Sequence, residues 1–179
     1  MPATQADFFG RLRQATVELT DGSVEDRFRS RLSKVARQLD AAGALIQRAG
    51  GPLPEEALDH LESVGRHLGE AVSLVHDRKL VDDAKGYHYE AIALLRTYCE
   101  AFAPALAADA SQFERIRSYR NMLDYPDSHW PVDDDDAFGF GPSQATLWLM
   151  TARRFVMNVV PLLDADYARR HPTPPPPAP

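Results

Sequence analysis

Arg117, Arg120, Asn121, Asp124 and Tyr125 stand close together in the segment FERIRSYRNMLDYPD, residues 113–127. At 100° per residue, Phe113, Ile116, Tyr119 and Leu123 form one apolar stripe of a helix, and Arg120 falls inside that stripe. An arginine on the buried side needs anionic partners. Asp124 lies four residues on and Arg117 three back, so one helix face carries two guanidiniums and a carboxylate. Such a group can stabilise negative charge developing on a phosphate. It can equally act as an interhelical ion pair that keeps a bundle or a dimer in register, and residue chemistry alone favours this structural role.

Other constellations are weaker. Glu56, His60, His67 and Glu70 share one face of a helix, opposite its leucines, and in principle such residues bind a metal. The Glu-x-x-His spacing of di-iron bundles is absent, so a solvated polar face is the expectation. The run Asp133–Asp136 suggests calcium, but counted from Asp133 the sixth position is not glycine and the twelfth is not glutamate. It reads as a solvated acidic loop. Cys99, beside Tyr98 and near Phe102, is expected to be a small buried hydrophobe. The chain has no glycine-rich phosphate loop, nucleophile elbow or CxxC pair, and neither a metal nor a cofactor is expected.

These residues must be positioned by a fold built on 179 residues, 44% of them hydrophobic, which suits one domain with a single core. A net charge of −6 argues against non-specific coating of duplex DNA. One cysteine excludes an intrachain disulfide and a multi-cysteine zinc site. The N-terminus lacks the basic-then-apolar order of a secretion signal, so a cytoplasmic location is expected. Arg153 and Arg154 interrupt the apolar segment ATLWLMTARRFVMNVVPLL, so no membrane association is expected.

Helical periodicity runs along nearly the whole chain. A first helix is predicted over residues 4–19. Ser23 then opens a second, with Asp26 at the capping-box position; Val24, Phe28, Leu32, Val35, Leu39, Ala42 and Ile46 share its inner face, while Arg29, Ser33, Lys34 and Arg37 face elsewhere. Gly50, Gly51 and Pro52 stop it. A third begins near Pro54, with Glu55 and Glu56 in its first turn, buries Leu58, Leu61, Leu68, Val72 and Val75, and ends near His76. A fourth, residues 82–102, presents Tyr87, Ala91, Leu94, Leu95, Tyr98 and Phe102 to the core. A fifth spans residues 111–124 and stops before Tyr125 and Pro126. The last starts at Ser143. Its stripe of Ala145, Leu149, Ala152, Val156, Val159 and Leu163 is widened by Trp148, Phe155 and Leu162, which predicts a helix central in the bundle or shared with a second copy. Beyond Tyr167, ARRHPTPPPPAP predicts an extended tail, most simply a solubilising end and otherwise a ligand for a proline-reading partner protein.

Arg120, Asn121 and Tyr125, flanked by the helices EAIALLRTYCEAF and ATLWLMTARRFVMNVV, resemble the HEPN superfamily of nucleotide-associated helical domains over roughly residues 55–165. The resemblance implies an all-α, antiparallel helical bundle with a four-helix core. Here an extra N-terminal helix would precede that core, giving a domain over residues 1–167 and a disordered proline-rich tail over 168–179. It also implies a homodimer, through the fifth and sixth helices, with a cleft around Arg117, Arg120, Asn121, Asp124 and Tyr125. Nuclease members resemble an arginine, four to six residues, then histidine; here four residues separate Arg120 from Tyr125. Metal-independent RNA cleavage needs a base for the 2′-hydroxyl, and a tyrosine titrating near 10 is poorly suited. His129 lies in the loop, too far along to take the role. The expectation is therefore a non-catalytic binding or accessory domain that recognises RNA or a nucleotide in a defence or stress setting. The alternatives are a divergent metal-independent ribonuclease using Arg120 and Tyr125, and a structural protein-interaction bundle.

Overall fold

Ser23 caps the first long helix as its sequence predicts: its hydroxyl accepts from the Asp26 backbone N–H at 3.2 Å, and the Asp26 carboxylate accepts from the Ser23 N–H at 3.0 Å. The structure, a computed structural model, describes residues 7–9, 23–48, 51, 53–80, 84–124 and 141–172. Within them lie α1 (Val24–Ile46), α2 (Pro54–Val75), α3 (Ala84–Phe102), a 3-10 turn (Pro104–Leu106), α4 (Ala107–Asp124) and α5 (Pro142–Arg170), with no strand among the described residues. Most of the predicted first helix lies outside the described residues, although Phe9 is buried against the core.

The predicted apolar stripes become the core. Phe28, Leu32, Val35 and Leu39 of α1, Leu58, Leu61, Leu68, Val72 and Val75 of α2, and Ile116 and Phe113 of α4 are all buried. Each such large side chain contributes about 1.5–3 kcal/mol by leaving water. Phe113 meets Phe155 edge-on at 5.5 Å, Tyr119 meets Trp148 at 5.4 Å, and Phe28 stacks on Tyr167 at 4.5 Å.

Several expectations are corrected. Ser33, placed away from the core by periodicity, is fully buried, because α2 and α5 both pack on α1 and widen its covered arc. Phe102, Leu123 and Leu162 lie at helix ends or margins and are exposed. The fifth predicted helix begins four residues earlier, since the 3-10 turn after Pro104 leads straight into Ala107. The last helix continues through Arg170, past Tyr167, where Arg169 and Arg170 both pair with the buried Asp166 carboxylate. Residues 173–179 of the expected tail lie outside the described residues.

Helix direction also departs from a fully antiparallel bundle. Leu45 with Leu53, Gln38 with His60, and Arg31 with Glu70 descend along α1 as α2 ascends, so these two are antiparallel. Asp109 with Arg154 and Tyr119 with Trp148 show the same reversal for α4 and α5, as expected. Along α2 and α3, however, partners ascend together: Glu62 lies near His88, Gly69 abuts Ala91, and His76 meets Tyr98 and Phe102. Thus α3 runs in the same sense as α2. Stop signals locate a helix end but do not encode the direction of the next helix.

The most enclosed element is α2, which packs on α1, α3, α4 and α5. Two glycines allow this. A Cβ on Gly65 would sit 2.7 Å from the Phe113 side chain, and one on Gly69 would sit 1.8 Å from the Ala91 carbonyl oxygen. Without a tertiary neighbour, alanine would improve such a helix by about 1 kcal/mol. At Gly69 the obstacle is backbone, which cannot swing aside. Gly69→Ala is expected to destabilise the fold by about 3 kcal/mol through overpacking, read as a lower urea midpoint at unchanged slope.

Candidate functional site

Helix α4 carries Arg117, Arg120, Asn121 and Asp124 of the predicted site, and Arg120 is where the interhelical role is realised. Its Nη1 donates to Glu62 Oε2 at 2.9 Å, its Nε donates to the Asp59 carboxylate, and its Nη2 lies 3.6 Å from Asp124 Oδ2. Asp59 and Glu62 both belong to α2, so the guanidinium ties α4 to the central helix. Burial alone would lower the Arg120 pKa, but the charges of Glu62 and Asp59 outweigh it and raise the value. Arg117 lies on the same helix one turn earlier, with its guanidinium 5.5 Å over the ring of Tyr89. Asn121 is half-buried and Asp124 is exposed at the end of the helix. Tyr125, His129 and the aspartate run lie outside the described residues.

The polar face of α2 is not the solvated surface its spacing suggests. Glu56 is exposed and His60 contacts Gln38, but Glu62, His67 and Glu70 are buried. Because α2 is covered by α1 on one flank and α3 on another, its acids and histidine meet partners instead of water. Glu70 accepts from Arg66 Nη1 at 3.0 Å, pairs with Arg31 Nε at 3.0 Å and contacts His67 Nδ1 at 2.8 Å. Tyr87 of α3 also hydrogen-bonds to it. Among the described residues no group of three or more histidine, cysteine, aspartate or glutamate side chains is arranged to hold a metal ion.

The electrostatics follow from these contacts. Burial pushes the Glu70 carboxyl up, yet the His67 hydrogen bond and the neighbouring positive charges of Arg31 and Arg66 hold it at about 2. Burial is the leading influence on His67 and lowers its pKa, so the imidazole favours its neutral form. Tyr87 is raised to about 12 by burial first, then by the Glu70 charge and the hydrogen bond to it. Cys99 is fully buried and its thiol is pushed up to about 12, chiefly by burial, which makes it the inert hydrophobe its sequence position suggests.

Arg31, Lys34, Arg37 and Gln38 of α1 face Arg66 and His67 of α2 across an open cleft of about 360 Å³. None of these residues stood out as a site in the sequence except His67. The available signal was the cation spacing at 31, 34 and 37 on one helix, but the partner side of the cleft depends on how α2 docks.

Compared with family models, curated proteins and solved structures, the chain matches none.

The folded pKa values of His67 and Glu70 both lie below their ordinary values of 6.5 and 4.5. The folded state therefore binds fewer protons than the unfolded chain, and stability is lost as pH falls. The His67 contribution is complete above about 6.5 and declines below it; that of Glu70 is complete above about 4.5 and declines towards 2. His76 and His88 are also lowered, led by burial, and share the upper window. Urea unfolding of His67→Gln at pH 7 and pH 5 is expected to show a smaller loss of stability than wild type, while Glu70→Ala is expected to lose about 3–5 kcal/mol at pH 7. A wild-type midpoint that does not fall between pH 7 and pH 5 contradicts this assignment.

Proposed function

We propose that the chain is a HEPN-like bundle acting as a non-catalytic binding or accessory domain, with RNA or a nucleotide as its ligand and defence or stress as its setting. The observation that supports a non-catalytic reading is the saturation of Arg120 by Asp59, Glu62 and Asp124. A guanidinium engaged with three carboxylates has its positive charge already compensated, so it offers little to a phosphate that gains charge during cleavage. The same contacts give Arg120 a structural task.

A second reading, a protein-interaction bundle or homodimer through α5, is favoured by one feature. Leu147, Met150 and Leu162 of that helix are exposed large apolar side chains. No helix among the described residues is long and apolar enough to cross a membrane.

The test is incubation of wild type and Arg120→Ala with total RNA in EDTA, with urea unfolding and solution mass recorded on the same samples. The expected outcome is intact RNA with both proteins and a variant weakened by about 2–4 kcal/mol, below the full cost of breaking a buried pair because Arg120 is partly exposed. RNA cleavage by wild type that disappears in an equally stable variant would establish the ribonuclease instead.

A further inference from the structure

The cleft between α1 and α2 gathers positive charge in a protein whose net charge is −6. Four cationic side chains, Arg31, Lys34, Arg37 and Arg66, line one opening of about 360 Å³. The carboxylate that pairs with two of them is Glu70, which is 3% exposed and approaches from the buried side. It takes the Nε of Arg31 and the Nη1 of Arg66. Arg37 meets no carboxylate among the described residues. Glu70 thus orients two guanidiniums and sets a single negative charge against their two positive ones.

We infer that this cleft is a binding site for linked phosphate groups, carried by a nucleotide or by a single-stranded RNA backbone. Guanidinium forks suit phosphate oxygens because their planar N–H groups donate in pairs, and oriented forks lose less freedom on binding than mobile ones. Arg31, Lys34 and Arg37 are spaced by three residues, so their backbone positions span about 9 Å along the helix axis. That row can follow two linked phosphates. The cleft volume falls at the small end of ligand-sized cavities, which favours a nucleotide or a flexible single strand over a rigid duplex. His67 lines the same opening and is turned by Glu70, with its Nε2 3.4 Å from Arg66 Nη2. It adds a polar group beside the cations.

This inference deepens the binding reading and moves its ligand from the Arg120 cluster to the cleft that α1 and α2 line. The experiment titrates the full chain with inorganic pyrophosphate, ADP and a fluorescent single-stranded RNA at two salt concentrations. Arg37→Glu and Lys34→Glu are compared with wild type and with Arg154→Glu, a charge reversal on α5 away from the cleft. The expected result is binding by wild type and Arg154→Glu, with at least tenfold weaker binding by both cleft variants at unchanged urea midpoints. For RNA the salt slope is expected to fall by about one for each phosphate contact removed. Tight RNA binding displaced by pyrophosphate assigns the site to the RNA backbone, while ADP binding without RNA binding assigns it to a free nucleotide. Wild-type affinity retained by both cleft variants overturns the cleft and leaves the binding reading in place. Wild type that binds none of the three probes overturns both.

Discussion

Glu62 and Glu70 are carboxylates removed from water on the helix that every other long helix touches. Leaving such a charge unpaired in the interior costs several kcal/mol, so the surrounding helices must present donors at matching heights. They do so from three sides. Helix α1 supplies Arg31, α3 supplies Tyr87, and α4 supplies Arg120, while Arg66 and His67 complete the set from α2 itself. A one-turn slip of any neighbour would strand a buried anion, which makes these contacts a register constraint as well as a stabilising one. The apolar core alone tolerates such slips more readily, because hydrophobic packing is non-directional.

Close approach is the second condition. The ion pairs form only if the helices lie near enough for short hydrogen bonds, and Gly65 and Gly69 remove the side chains that would hold α3 and α4 away. Glycine weakens a helix that stands alone. In α2 that local cost is offset by contacts on all sides, and the polar and apolar halves of the interface depend on the same backbone spacing.

Arginines in this protein fall into two chemical situations. Arg120 meets three carboxylates, so its charge is used within the fold. Further along α2, Arg31 and Arg66 share Glu70 while Lys34 and Arg37 line the same opening. The charge of Arg120 is therefore compensated within the fold, while four cationic side chains gather at one opening beside α1. The first arrangement accounts for packing; the second gives the molecule a surface suited to an anion. Arginine clusters look alike in sequence, and only their partners distinguish the two situations.

Helix class, the capping box at Ser23, the start of α2 at Pro54, and the apolar stripes of α1 and α2 were all determined by local sequence. Each depends on neighbours within about two turns, where periodicity, caps and proline act directly. The placement of Arg120 on the inner side of its helix was legible for the same reason. Its partners Asp59 and Glu62, by contrast, lie some sixty residues away in sequence, and nothing local names them. The shared direction of α2 and α3, the burial of Ser33, His67 and Glu70, and the cationic cleft were decided only by docking between helices. A polar face reads as solvated until another helix covers it, and whether one does is a property of the assembled bundle rather than of any segment.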